Sequence, residues 1–87
     1  MKMKYEFAIS EVAGETVAVA VDAGSRNMVI SLNSTAQLLF FLLTKGTDEA
    51  AMTAALLENY EGLDEATARE DVEQFVQILR EKELLED

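Results

Sequence analysis

The sequence predicts an α+β domain in which a three-stranded antiparallel meander is followed by three helices. Two observations carry this prediction. Up to residue 32 the apolar side chains alternate with a period of two, as in strands, and beyond residue 33 they recur at spacings of three and four, as in helices. Isolated glycines mark the turns, and no proline or low-complexity run divides the 87 residues. We therefore expect one domain covering residues 1–87.

The N-terminal part of the chain predicts the three strands of the meander. The first strand has three apolar side chains on one face: Tyr5, Phe7 and Ile9. Residues 16–22 alternate valine with alanine, and their β-branched content predicts the central strand. A run of turn formers at residues 22–27 returns the chain to a third strand at residues 28–32, which then lies at an edge. This strand lacks the proline, lysine or glutamate that usually blunts an edge, so we expect it to be open to a partner strand.

The segment after the third strand predicts the central helix of the domain. Asn33 and Ser34 are both good N-cap residues, so the helix begins directly after one of them. Residues 38–43 are all apolar, which leaves no side of these turns for water. We expect this helix to be covered on several sides, with Phe40 and Phe41 both largely buried. The run is too short to span a bilayer.

Two further helices follow the central one. Gly46 ends the central helix, and Thr47 is expected to cap the second helix. Asp64 caps a third helix, whose apolar stripe has spacings of three and four. The residues of this stripe are Ala68, Val72, Phe75, Val76 and Leu79. Leu84 and Leu85 come after a polar turn, and we expect them to return onto the sheet or the second helix.

The composition excludes several classes of function. The chain has no cysteine and no histidine, which removes disulfides, thiol nucleophiles, soft metal sites and the usual general base at neutral pH. No glycine-rich phosphate loop occurs, and the acids of the third helix lie on its solvated side, where a general acid cannot be tuned. We expect no catalytic residue, no metal and no cofactor. Lys2 and Lys4 precede an alternating segment instead of an apolar signal core, so we expect a cytoplasmic protein.

The charge of the chain is strongly negative and unevenly distributed. The formal net charge is −10; residues 1–43 hold four acids and three bases, whereas residues 44–87 hold thirteen acids and four bases. Keeping a small, apolar-rich domain soluble is the simplest role of these carboxylates. Their field also repels phosphate backbones and anionic membranes and favours basic or neutral partners. We expect the protein to bind neither nucleic acid nor membranes.

Several short segments occur in an order that resembles one known family. They are residues 32–36 entering the apolar helix, Gly46 and Thr47 before the second helix, Tyr60 shortly before Asp64, residues 68–75, Leu79 with Arg80, and the terminal pair Leu84 and Leu85. Together they resemble the family of coenzyme PQQ synthesis protein D. One departure is at Lys82 and Glu83, where the family tends to have alanine and glycine. Either the helix runs on there, or a non-glycine residue takes a strained cap.

The resemblance implies both a fold and a function. It implies a winged-helix-like domain that recognises ribosomally made peptides, binding the leader of a precursor peptide and presenting it to a modifying enzyme, often a radical-SAM maturase. It also implies that the leader adds as a strand beside the third strand, in the cleft against the third helix. The residues that would bind the peptide are Met28, Val29, Ile30, Ser31 and Leu32 from the strand and Arg69, Val72, Glu73, Val76 and Arg80 from the helix.

The physical pattern agrees with this implication, because strand addition needs an open edge and an apolar wall. Without the resemblance, the flank of the third helix would be a plain solvated side. The short N-terminal arm indicates that the domain works as a chain separate from the maturase.

Two rival functions remain open at this stage. A DNA-binding winged helix also has three helices and a small sheet, but residues 65–81 contain two arginines against five acids, which disfavours binding to phosphates. A homodimer could instead close its own edge by pairing third strands. We expect a monomer or a weak homodimer.

Overall fold

A computed structural model of the chain describes residues 1–21 and 29–86. The strands are β1 (Lys2–Met3), β2 (Glu6–Val12), β3 (Glu15–Val21), β4 (Val29–Leu32) and β5 (Leu85–Glu86). The helices are α1 (Ser34–Lys45), α2 (Glu49–Asn59) and α3 (Glu65–Glu81). An antiparallel sheet of β2, β3 and β4 followed by these helices confirms the predicted α+β class.

The three-stranded sheet has the order β2-β3-β4, so β3 is central and β2 and β4 form the two edges, as predicted. A two-residue turn at Ala13 and Gly14 joins β2 to β3, and both residues have positive φ, 53° and 83°, as a type I′ hairpin requires. Ala18 of β3 faces Ile9 on one side and Ile30 on the other. Ala18 and Ile30 belong to the core, so this face of the sheet packs against the helices.

Helix α1 contributes a large part of the core. It begins after Asn33, whose side-chain oxygen accepts a hydrogen bond from the N–H of Ala36 at 2.9 Å, so Asn33 is the N-cap. Phe40 is only 4% exposed, and its ring meets the ring of Phe7 edge-on at a centroid distance of 5.2 Å. This contact joins α1 to β2.

The prediction that Phe41 is also buried is wrong. Its side chain is 54% exposed, and the ammonium of Lys45 lies 4.6 Å from the centre of its ring. Phe41 is four residues after Gln37 and three before Thr44, so it lies on the polar stripe of α1. A domain this small covers α1 broadly but not all round, and this stripe is left at the surface.

The other two helices begin at aspartate caps. The carboxylate of Asp48, and not Thr47 as predicted, caps α2 by accepting the N–H of Ala51 at 2.7 Å. Asp64 caps α3 as predicted, and the hydrogen bond from the backbone N–H of Thr67 holds the pKa of its carboxyl below the ordinary value. Every residue of the predicted α3 stripe is buried: Ala68, Val72, Phe75, Val76 and Leu79.

The C-terminal segment turns sharply and returns to the N-terminus. Glu83 has a φ of 57°, so it is a non-glycine residue in the left-handed conformation, the second of the two alternatives that the sequence left open. Leu84 is then fully buried in the core, and Leu85–Glu86 pairs antiparallel with Lys2–Met3. The predicted return onto the sheet or α2 is therefore wrong for Leu85, which joins a separate two-stranded sheet. Among the described helices, none is long and apolar enough to cross a membrane.

The two neighbouring phenylalanines of α1 should differ sharply in their effect on stability. We expect Phe40→Ala to lower the free energy of unfolding by about 3–5 kcal/mol, because it opens a cavity next to Phe7. Phe41→Ala should lower it by less than about 1 kcal/mol, because an exposed ring loses little more than its contact with Lys45. Urea titration of both variants measures the difference, and equal losses would contradict the burial of Phe40 and the exposure of Phe41.

The left-handed conformation of Glu83 should cost stability that glycine can restore. We expect Glu83→Gly to be more stable to urea than Glu83→Ala by about 1 kcal/mol, because only the alanine variant keeps the Cβ that crowds this conformation. The alanine variant is the matched control, since both changes remove the same carboxylate. Equal stability of the two variants would show that Glu83 is not strained.

Candidate functional site

The edge strand β4 is the first part of the candidate site. It pairs with β3 through Val29 opposite Val19 and Leu32 opposite Thr16, and the sheet ends with it. Within residues 1–21 and 29–86, no strand therefore covers its outer edge, and the predicted edge position is confirmed for residues 29–32. Val29 and Ser31 are exposed, whereas Ile30 and Leu32 are buried against the helices. Met28, which the sequence also assigned to the site, lies outside the described residues.

A groove between α1 and α3 is the second part. It has a volume of about 210 Å³ and starts at Asn33, the residue that follows β4. Its lining from α1 is Thr35, Ala36 and Leu39, and its lining from α3 is Asp71, Gln74, Phe75 and Ile78. Ile78 is 46% exposed, so an apolar surface in the groove is accessible from outside. The groove thus combines apolar walls with one carboxylate and two amides, those of Asn33 and Gln74.

The predicted residues of α3 are on the opposite flank of that helix. Arg69 and Glu73 line a different groove, of about 360 Å³, between α2 and α3. Arg69 forms an ion pair of 3.0 Å with Glu65 in the same helix. Since successive helical residues are rotated by about 100°, Arg69, Glu73 and the exposed Arg80 project almost opposite to Asp71, Gln74 and Ile78. The groove that starts at Asn33 is therefore lined by the other flank of α3, and peptide binding by Arg69, Glu73 and Arg80 stays a prediction.

The two predicted valines of α3 belong to the core of the domain. Val72 is fully buried and Val76 is 4% exposed, so both are core residues that hold α3 against the rest of the domain. Val72 also forms part of the lining of the groove that contains Arg69 and Glu73, so its place in a peptide site stays a prediction. The accessible apolar residue that α3 contributes to the groove starting at Asn33 is Ile78, which the sequence analysis did not include.

A signal for Ile78 was present in the sequence. It is an apolar residue outside the buried stripe, seven positions after Asp71 and four after Gln74, so the three share one side of α3. An apolar residue on an otherwise polar flank is a reasonable candidate for a contact surface.

The chemistry of this site is that of binding. Strand β4 offers backbone N–H and C=O groups along its outer edge, and the groove adds apolar surface and the Asp71 carboxylate. No polar or charged side chain is buried among the described residues, and there no three His, Cys, Asp or Glu side chains lie close enough to hold a metal ion. These parts suit hydrogen bonding by main chain and packing of apolar side chains.

The open edge of β4 and the groove beside it define the chain as a small α+β domain of the kind that can hold an extended segment. The sequence profile of coenzyme PQQ synthesis protein D matches residues 11–85, so the chain belongs to that family. This match confirms the resemblance inferred from the sequence.

The fold also has a solved relative. The structure is similar to that of TbiB1 in complex with the TbiA(beta) leader peptide, with a TM-score of 0.74 and 24% sequence identity, over 99% of this chain and 95% of that chain. At this identity the likeness shows a shared fold. No curated protein matches the chain significantly.

Proposed function

We propose that residues 1–87 form a single, non-catalytic recognition domain that captures the leader of a ribosomally made precursor peptide by strand addition at β4 and presents it to a modifying enzyme. The observation that carries the proposal is the open edge of β4 directly beside an accessible apolar groove. Membership of the coenzyme PQQ synthesis protein D family supports it, and so does the similarity to a domain solved with a leader peptide.

Capture of the leader takes place in two parts. The leader pairs with Val29–Leu32 in extended conformation, and its main chain satisfies the outward backbone groups of β4. Its side chains alternate between the two faces of the enlarged sheet. Those on the face of Ile30 and Leu32 lie toward the helices, where an apolar side chain can pack against Ile78 and Leu39.

Charge gives the same site a preference for basic leaders. Asp71 lines the groove, and the whole chain has a net charge of −10. Lysine or arginine next to the apolar anchor of the leader would therefore be attracted, and the field of the domain would speed the first encounter. Main-chain pairing supplies affinity, whereas the groove and its carboxylate supply specificity.

The proposed site keeps Val29, Ile30, Ser31 and Leu32 from the sequence prediction and adds the α3 residues that line the groove starting at Asn33. Val72 and Val76 act indirectly, by holding α3 in position from the core. Direct contacts of the leader with Arg69, Glu73 and Arg80 remain a prediction from the resemblance. A radical-SAM maturase is the modifying enzyme that we propose, on the resemblance alone, and the cytoplasmic location also remains a prediction.

Amide protection should locate the leader on β4. With a synthetic peptide of the leader encoded next to this gene, we expect slower amide exchange at residues 29–32, because the added strand accepts hydrogen bonds from the outward N–H groups. Proline at whichever of Val29 and Ile30 directs its N–H outward should abolish this protection and leave the fold unchanged. Protection confined to β2 or α2 would show that the site is elsewhere.

The two flanks of α3 should respond differently to mutation. We expect Ile78→Ser to weaken leader binding by about tenfold or more, because the leader loses an apolar contact in the groove. Arg69→Ser makes the comparison on the other flank: binding in the groove at Ile78 predicts an affinity within about twofold of the unmodified protein, whereas the contacts that the resemblance implies predict a loss. Calorimetric titration of the same peptide measures both. A larger loss of affinity for Arg69→Ser than for Ile78→Ser would show that the leader binds the flank that the sequence predicted. A charge at Val76 would unfold the domain and would therefore not report on binding.

A further inference from the structure

The strand at the opposite edge of the sheet, β2, has an exposed apolar surface of its own. Its Ile9 side chain is 56% exposed, and it borders a groove of about 350 Å³ between the sheet and α1, which β2 and Leu32 of β4 line from the sheet side. The apolar lining of this groove includes Phe7, Ile9, Phe40 and the exposed Phe41. Within the described residues β2 pairs only with β3, so a free backbone edge lies beside this apolar groove. Proteins usually protect such an edge with a covering segment or a partner.

We propose that the partner at β2 is a second copy of this chain. Two copies would pair antiparallel along Glu6–Val12 about a two-fold axis at Ile9, which makes one sheet of six strands. The axis lies at Ile9 because this residue is the centre of the seven-residue strand, so this register pairs the whole strand. Ile9 of each copy then covers the groove beside Phe41 of the other.

The sequence of β2 is compatible with its own antiparallel copy. Along a strand, successive residues direct their backbone groups alternately toward a neighbouring strand and away from it, and facing residues of an antiparallel pair must do so in the same sense. When two copies of one strand pair, odd-numbered residues therefore face odd-numbered residues, and even-numbered residues face even-numbered ones. Glu6 can therefore never face Glu11 of the second copy. In the register centred on Ile9, each Glu6 faces Val12 and each Glu11 faces Phe7, which avoids the pairing of like charges.

The distribution of charge favours pairing through the sheet, whose strands all lie within residues 1–43, over pairing through the acidic helices α2 and α3. Residues 1–43, which include β2, hold four acids and three bases, whereas residues 44–87 hold thirteen acids and four bases. Two copies that meet at β2 join through their nearly neutral halves. Pairing through the acidic helices would instead bring most of the carboxylates together.

Pairing at β2 has a consequence for the other edge of the sheet. The two β4 strands become the outer strands of the six-stranded sheet, and both remain open to a further strand. A dimer formed through β4, the alternative that the sequence suggested, would instead close the β4 edge to any further strand. The two dimers are thus distinguishable, and the inference does not depend on the proposed function.

Lysine substitutions at the two edges test which strand pairs. Sedimentation velocity over a concentration series should show the unmodified protein passing from monomer to dimer. We expect Ile9→Lys to raise the dissociation constant by at least about tenfold, because lysine would face lysine at the axis. Val29→Lys places the same residue on β4 and should leave the dissociation constant of the dimer within about twofold. A protein that stays monomeric at the highest concentration, or a dimer lost in Val29→Lys but not in Ile9→Lys, would overturn the proposal.

Disulfide trapping tests the register, because the chain contains no cysteine. Ile9→Cys should form an interchain disulfide under mild oxidation, since the two Cβ atoms would lie about 4.5–5.5 Å apart. Val12→Cys is the matched control, because Val12 is equally exposed, at 58%, on the same strand. In the proposed register the two Val12 residues lie roughly 20 Å apart, six strand positions. Equal or faster trapping of Val12→Cys would overturn the register, and circular dichroism checks that both variants keep the fold.

Discussion

The packing of α1 against the sheet is the contact on which the rest of the structure depends. Leu39, Phe40 and Leu43 of α1 enter the same core as Ile30 and Leu32 of β4. Asn33 alone separates strand from helix, and its side chain caps the helix. The direction of β4 and the start of α1 are therefore fixed together. Because α1 also lines the groove beside β4 and the groove beside β2, its position determines the shape of both edges of the sheet.

Sequence periodicity predicted the main elements well, because each has enough residues for its pattern to show. It could not predict β1 and β5, since two-residue strands carry no period and pair only because the termini meet. The error at Phe41 has a different origin. A fully apolar run does not show which side faces outward, although the polar neighbours Gln37, Thr44 and Lys45 marked that side.

The edge position of β4 could be predicted from the sequence, whereas the flank of α3 that lines the groove at Asn33 could not. An edge strand is identified by its place in the meander and by the residues it lacks, and both are visible in the sequence. The apolar stripe that α3 buries is equally visible in the sequence, but a polar flank of the helix lies on each side of that stripe. Which flank borders β4 depends on how α3 crosses the other helices, a property of the tertiary fold. Ile78 was the only local indication, and it favoured the flank opposite to Arg69.

Two open edges on one small sheet raise the question of how unwanted strand pairing is avoided. Net charge gives a physical answer, because chains that each carry −10 repel one another at long range, and the repulsion weakens within about a Debye length. A weak, unspecific edge contact cannot overcome that repulsion. In the two proposals, a basic leader would be attracted by the same field, and a second copy would approach through the nearly neutral half that contains the sheet. In the proposed function, the acidic helices would thus favour extended segments of opposite charge at β4.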